Sequence, residues 1–169
     1  MKNFLVLSVA AVLAACGGGS KAVRSSGGDD TPSWLAQGSG AYSTEAGKKL
    51  QGVGLGTQTD PKARRRAADV QAAQQLQGTV TALAAGLAKM SEATKENASD
   101  EIGAIARRAA AGIPQVRDHW VTPDGSENAL DQIDLGAFKQ AIQSADGDEK
   151  LKAEMVNNVD RAFDVLSRQ

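Results

Sequence analysis

The longest regular pattern of apolar and polar residues runs through residues 59–90, "TDPKARRRAADVQAAQQLQGTVTALAAGLAKM". Its apolar positions are Ala63, Ala67 and Val70, followed by Leu76, Val80, Leu83, Leu87 and Met90, and the last five have the spacing of one helical face. Asp60 suits the N-cap, and Pro61 suits the first helical position. We therefore predict a long helix whose stripe packs on the core. A coiled-coil seam or a contact with a partner helix remains an alternative.

The residues before this helix, "KLQGVGLG", alternate with a period of two. Leu50, Gly52 and Gly54 fall on one side of a strand and Val53 on the other. The glycines leave their side bare, so the long helix or another backbone can approach closely. A phosphate loop needs "GKS" or "GKT" after its glycines, and a dinucleotide site needs G-x-G-x-x-G, so a strand is the preferred interpretation.

Four further elements are predicted after the long helix. A second helix starts with Ser99 as its cap and ends near Gly112. The stretch "VRDHWVTPDGSENALDQID" is typical of a hairpin, with Val116 and Trp120 on one face and residues 127–133 returning. Asp134 caps a short helix, and a terminal helix carries apolar residues at helical spacing: Leu151, Met155, Val159, Phe163 and Leu166.

These elements combine helices with an antiparallel hairpin and therefore predict the α+β class, with an additional C-terminal helix. We assign residues 34–145 to the small α+β domain and residues 146–169 to the C-terminal helix. Residues 16–33 are rich in Gly and Ser and are expected to form a flexible tether, with a typical reach on the order of 20–25 Å.

The chain opens with "MKNFLVLSVAAVLAAC", which has the proportions of an export signal. Its apolar run is shorter than the about 20 residues of a permanent membrane helix. The ending "LAAC" resembles a bacterial lipobox, which implies cleavage between Ala15 and Cys16 and a diacylglycerol on the Cys16 sulfur. Residues 1–15 would then be the signal peptide. The alternative is an ordinary signal peptide followed by a cysteine without a role.

The cysteine count and the net charge further limit the possible functions and partners of the protein. Cys16 is the only cysteine, so no disulfide can form within the chain. Loss of residues 1–15 removes Lys2 and leaves 18 basic against 20 acidic residues, a formal charge of −2. This near balance argues against nucleic acid as a partner. Gly17, which is not an aspartate, indicates the outer membrane by the sorting rule of enteric bacteria.

Three motifs, in this order and spacing, resemble the Lpp-twenty family of small bacterial surface lipoproteins. They are "PSWL", then "GVGLG" with "ARRRAADVQAAQQL", and then "VRDHWVTPDGSENALDQIDLGAFKQAI", within residues 32–145. The resemblance implies a long helix on an antiparallel sheet, no enzymatic activity and, for some members, a role in flagellar motility or as surface antigens. The return strand departs from the family by carrying Asn128, Asp131 and Gln132.

Catalytic and metal-binding patterns are sparse. His119 is the only histidine, and neither a zinc site of the usual kind nor a "GxSxG" nucleophile motif accompanies it. We expect His119 to face outward in a structural role. Asp118, Asp124, Asp131 and Asp134 lack calcium-loop spacing and are expected on a solvated hairpin. We predict no catalytic residue, metal or cofactor.

The arginine run at the start of the long helix is unusual because positive charge there opposes the helix dipole. Arg64, Arg65 and Arg66 point in three directions around a helix and could simply be solvated. The alternative is contact with an anionic surface, which could be lipid headgroups, lipopolysaccharide or an acidic neighbouring subunit.

Together these features predict a protein held on the outer membrane through its lipid anchor, with a non-catalytic structural or assembly role in the cell envelope. Its partners would be other envelope proteins or further copies of itself, and the family resemblance implies association with the flagellum. The alternative is a periplasmic ligand-binding or enzyme-accessory lipoprotein, which an apolar pocket under the long helix would favour.

Overall fold

The computed structural model describes residues 31–91 and 97–169, together with the backbone of residues 24–25. It confirms the α+β class, with a long helix on an antiparallel sheet. The elements in chain order are β1 Arg24–Ser25, α1 Ser33–Gln37, β2 Gly40–Thr44, β3 Gly47–Gly56, α2 Pro61–Met90, α3 Ala98–Ala111, β4 Val116–Val121, β5 Glu127–Asp134, α4 Leu135–Ser144 and α5 Glu149–Leu166.

The sheet has the strand order β1-β4-β5-β3-β2. Strands β2 to β5 pair antiparallel, while β1 pairs parallel with the last two residues of β4. The predicted hairpin joins β4 to β5: the Thr122 N–H donates to the Ser126 carbonyl at 2.9 Å. Gly125 has φ of 86°, a conformation that glycine adopts without a side-chain clash.

Different helices cover the two faces of the sheet. The α2 side is reached by Leu50, Gly52 and Gly54 of β3, as the alternation predicts. On the opposite side, Trp34 of the short helix α1 packs with Trp120 and Leu130. Burying two tryptophans there explains why a helix of only five residues holds its place.

The main core lies between the second half of α2 and helices α3, α4 and α5. It contains α2 residues from Leu76 onward together with Phe138 of α4 and Phe163 of α5. The fully buried side chains of Met155 and Val159 belong to the same cluster. The C-terminal helix therefore packs on the core of its own chain.

The first half of α2 buries a different face from the one predicted. Ala63 is exposed and Val70 is 49% exposed, whereas Ala68 and Ala72 are fully buried. The reason is the close approach to the glycines of β3, which leaves space only for methyl groups. The predicted stripe before Leu76, which is Ala63 with Ala67 and Val70, is therefore wrong, because Ala68 and Ala72 occupy the buried face.

The start of α3 also differs from the prediction. The helix begins at Ala98 with Asn97 at the N-cap position, and no side chain caps it. Ser99 lies inside the first turn. The acidic residues Asp100 and Glu101 occupy this turn, where they interact favourably with the helix dipole.

Candidate functional site

The joint between β3 and α2 is closed by backbone contact. A Cβ placed on Gly52 would lie 2.1 Å from the Leu76 nitrogen, and one on Gly56 would lie 2.0 Å from the Arg64 carbonyl oxygen. Asp60 accepts a hydrogen bond from the Ala63 N–H at 2.8 Å and fixes the start of the helix. The glycine-rich segment is thus a strand that positions a helix, and its bare face is covered.

Charged side chains from α2, β4 and β5 meet beside this joint. We call this set the charged layer. The strand members alternate along β4 and β5, and register pairs Arg117 with Asp131. Helix α2 supplies the rest from its first three turns. The members are Arg64, Arg65, Asp69, Arg117, His119, Glu127 and Asp131.

Glu127 is the centre of the charged layer. Its side chain is only 6% exposed, and its carboxylate lies 3.6 Å from Arg65 Nε and 4.0 Å from Arg64 Nε. Burying a carboxylate is unfavourable without nearby positive charge, so these arginines compensate for the burial. Two members of the predicted anionic-contact set therefore have a carboxylate neighbour inside the fold, and their contact with an external anion stays a prediction.

His119 lies between two carboxylates, which corrects the expectation that it faces outward. Its side chain is 12% exposed, with Nε2 at 3.3 Å from Asp69 Oδ1 and Nδ1 at 3.1 Å from Glu127 Oε1. His119 Nδ1 and Glu127 Oε1 are both buried, and the contact between them does not have the geometry of a hydrogen bond. The register of β4 places His119 beside Ala129, on the face that α2 covers. The imidazole thus links the helix to the centre of the sheet.

Asp131 forms the second pair of the layer and is buried, contrary to the expectation of a solvated position. Arg117 Nε donates to Asp131 Oδ1 at 2.9 Å, while most of the Arg117 side chain remains exposed. Burial raises the pKa of the Asp131 carboxyl above its ordinary value, and the Arg117 guanidinium offsets this only in part.

Asp131→Asn is expected to stabilise the protein at neutral pH relative to the original chain. A raised folded-state pKa means that the folded state binds more protons, so stability falls as pH rises from the ordinary value of 3.8 through the folded value. The asparagine variant lacks this loss. Urea unfolding between about pH 3 and about pH 7 measures the difference, which should grow with pH.

Asp124→Asn provides a control with the opposite sign. The exposed Asp124 accepts hydrogen bonds from the Thr122 hydroxyl and the Ser126 N–H, and these lower its pKa. The original chain should therefore gain stability over Asp124→Asn as pH rises. A pH-independent effect of Asp131→Asn would contradict the role assigned to its buried charge.

The other two hairpin aspartates have different surroundings. Asp134 accepts a hydrogen bond from the Ala137 N–H at 3.0 Å and caps α4 as predicted. Asp118 is half-buried. Asn128, one of the departures from the family pattern, is buried on the side of Trp120.

Arg66 differs from the two arginines before it. Arg66 is exposed, and its side chain forms no ion pair with any of the described residues. It lines an open groove of about 650 Å³ together with Leu55 and Val70. Both apolar side chains are about half exposed, at 47% and 49%. Of the three predicted arginines, Arg66 is the one without a carboxylate neighbour among the described residues.

The charged layer has the composition of an ionic link between helix and sheet. Within residues 31–91 and 97–169, no group of three or more His, Cys, Asp and Glu side chains has an arrangement that could hold a metal ion. Cys16, Ala15 and most of the predicted tether lie outside the described residues, so lipid attachment and signal cleavage stay predictions. None of the helices in the described part is long and apolar enough to cross a membrane.

Comparison with known proteins gives no match among family models, curated proteins or solved structures. The resemblance to the Lpp-twenty family therefore stays a prediction that depends on its quoted motifs.

Proposed function

We propose that this chain is a lipoprotein anchored in the outer membrane through Cys16, with a non-catalytic structural or assembly role in the cell envelope. The observation that carries the proposal is the leader "MKNFLVLSVAAVLAAC", whose single cysteine stands at the cleavage position of a lipobox. A Gly- and Ser-rich segment then joins this cysteine to the folded domain.

The charged layer supports a structural role because its ionisable groups are used inside the fold. Glu127 interacts with Arg64, Arg65 and His119, and Asp131 with Arg117. The contacts of Arg64 and Arg65 with Glu127 hold α2 on the sheet and leave the exposed side of this 30-residue helix as a surface for neighbours. A tethered domain with a long presented helix suits assembly in the envelope.

Cys16→Ser is expected to abolish lipid attachment and to release most of the protein from the membrane fraction. Several acyl chains hold a protein far more firmly than one, because each buried methylene contributes about 0.8 kcal/mol. Labelling with an alkyne fatty acid, followed by fractionation and mass spectrometry of the N-terminal peptide, measures both effects.

Ser20→Ala is the matched control because it changes a nearby residue of the tether and leaves the cysteine intact. Its labelling and fractionation should equal those of the original chain. Gly17→Asp tests the outer-membrane assignment separately, since the enteric sorting rule then expects retention in the inner membrane. Labelling that persists in Cys16→Ser would contradict the anchor.

The structural role itself is tested by deletion of the protein and imaging of the envelope and flagella. The family resemblance implies flagellar involvement, so the deletion should reduce motility or leave incomplete motors. Normal motility with intact motors would remove the flagellar version. A normal envelope as well would remove the assembly role while leaving the anchor untouched.

The alternative of a ligand-binding lipoprotein has one specific feature in its favour. An open groove of about 350 Å³ lies between α2 and α3 and is lined by Leu76, Val80 and Ala110. Binding there should raise the melting temperature of the purified chain in proportion to ligand concentration. A defined oligomer without such a response would favour assembly.

A further inference from the structure

The outer edge of β3 is only partly covered by a neighbouring strand. Strand β2 pairs with β3 only as far as Gln51. Beyond Gln51, among the described residues, the outward-facing N–H groups of β3 bind side chains and no neighbouring strand. The Val53 N–H donates to Ser39 Oγ at 2.9 Å, and the Leu55 N–H donates to Gln71 Oε1 at 2.7 Å. An uncovered strand edge of this kind can accept another strand once such side chains move aside.

The groove that contains Arg66 meets this edge at Leu55. Gln71, whose amide binds the Leu55 N–H, is among its lining residues, as are Val70 and Gln74 of α2. Leu55 and Val70 are two of the four large apolar residues that the described part of the chain leaves exposed. Backbone N–H groups that are bonded only by side chains therefore lie beside exposed apolar surface.

The charge of this region is positive. Lys62 and Arg66 are exposed on the first turns of α2, and the N-terminal end of a helix adds a partial positive charge. Arg64 and Arg65 have Glu127 as a neighbour, whereas Arg66 faces the groove without an acidic partner among the described residues. The groove is thus complementary to a segment with acidic side chains.

We propose that this groove binds an extended segment of another envelope protein, which adds as a strand beside Val53 and Leu55. The segment would be about five residues long, matching β3 from Gly52 to Gly56 at about 3.4 Å per residue. It would place an acidic side chain at Arg66 and an apolar side chain against Leu55 and Val70. The proposal rests on the envelope role proposed above and names the partner of one surface.

An extended segment with an acidic side chain fits this groove better than a second copy of the chain or a lipid phosphate does. A second copy of the chain meeting the same groove across a two-fold axis would bring two Arg66 side chains together, and like charges repel. A lipid phosphate would satisfy Arg66 but offers no alternating donors and acceptors to the edge of β3. A peptide backbone with an acidic residue satisfies both.

The test uses the full lipidated chain in the cells that produce it, with the photoreactive residue p-benzoylphenylalanine at Gln74. Gln74 lines the groove, and Ala82 on the exposed side of the same helix is the control position. Illumination is expected to cross-link Gln74 to an extended segment containing apolar and acidic residues, identified by peptide mapping. The yield from Ala82 should be at least tenfold lower.

Charge reversal then tests the role of Arg66. Arg66→Glu should reduce cross-linking at least tenfold, whereas Lys62→Glu, on the same helix but outside the groove lining, should change it less than twofold. Cross-links only to lipid, only to a second copy of this chain, or equal in both charge variants would each overturn the proposal. Membrane fractionation is measured in parallel, so failure of the groove is distinguishable from failure of the anchor.

The mapped segment, made as a synthetic peptide, supplies the final measurement on the purified full chain. Hydrogen exchange at the Leu55 and Val53 amides should slow at least tenfold on binding, because strand addition replaces exposed side-chain caps with backbone bonds. The Leu130 amide in the central strand β5 should change little. Cross-linking without protection at Leu55 would overturn the strand-addition geometry.

Discussion

Replacement of Gly54 by alanine is expected to lower the free energy of unfolding by about 3 kcal/mol or more. The added Cβ would lie 2.1 Å from the Ala68 carbonyl oxygen and 2.3 Å from the Ala72 nitrogen. Both contacts are with helix backbone, which cannot turn away as a side chain can. The helix would have to move off the strand, and the fully buried methyl groups of Ala68 and Ala72 would lose their contacts.

Gly78→Ala is the matched control on the helix itself. Apart from the helix's own backbone, no heavy atom of the described residues lies within 4 Å of a Cβ at Gly78. Alanine there should stabilise the protein by about 0.5–1 kcal/mol through its higher helix propensity. Chemical unfolding of both variants measures the contrast. A cost below about 1 kcal/mol for Gly54→Ala would mean that α2 can shift at little expense.

The glycine alternation shows what the sequence could predict. A period of two identified the strand, and the bare side predicted close approach by the long helix or another backbone, of which the structure shows the long helix. Asp60, Pro61 and the "TPDGS" turn marked boundaries because each has a local physical cause. Local signals of this kind do not depend on which elements pack together. The strand, the long helix and the hairpin turn that they predict are confirmed.

The register of the sheet is the information that the sequence lacked. Pairing of β3 with β5 sets Gly52 opposite Asp131 and Gly56 opposite Glu127, so these carboxylates lie on the face under α2. Hairpin spacing alone gives the relation of β4 to β5 but not which face the helix covers. The sequence consequently predicts solvent-facing positions for His119 and Asp131, because it does not show which charged partners the neighbouring elements supply.

The same missing register explains the misplaced helical stripe. The spacing predicts Val70, together with Ala63 and Ala67, for the buried stripe before Leu76. A helix lying against glycines needs small residues instead, and the alanines at this spacing were the available signal. In such a joint the size of the helical residue follows from the strand it contacts, which only the pairing of the two elements reveals.

Replacement of Glu127 by alanine is expected to lower the free energy of unfolding by about 2–3 kcal/mol. The change removes the carboxylate that Arg64, Arg65 and His119 share and leaves their positive charge or polar atoms poorly compensated. The estimate is below that for a fully buried pair because the Arg65 side chain is 42% exposed and can be hydrated.

Glu149→Ala is the matched control, since the same substitution there removes a carboxylate whose side chain is 86% exposed. Its ion pair with Lys152 is expected to contribute less than about 0.5 kcal/mol. Thermal and urea unfolding compare the two variants. Double-mutant cycles of Glu127→Ala with His119→Ala and with Arg64→Ala then separate the two contacts.

Both couplings are expected to be favourable, because His119 Nδ1 lies 3.1 Å and Arg64 Nε lies 4.0 Å from the carboxylate. A Glu127 variant as stable as Glu149→Ala would show that α2 is held by its apolar and close-packed contacts and not by the charged layer. The charged layer would then be free for another task, and the structural role assigned to it would fail.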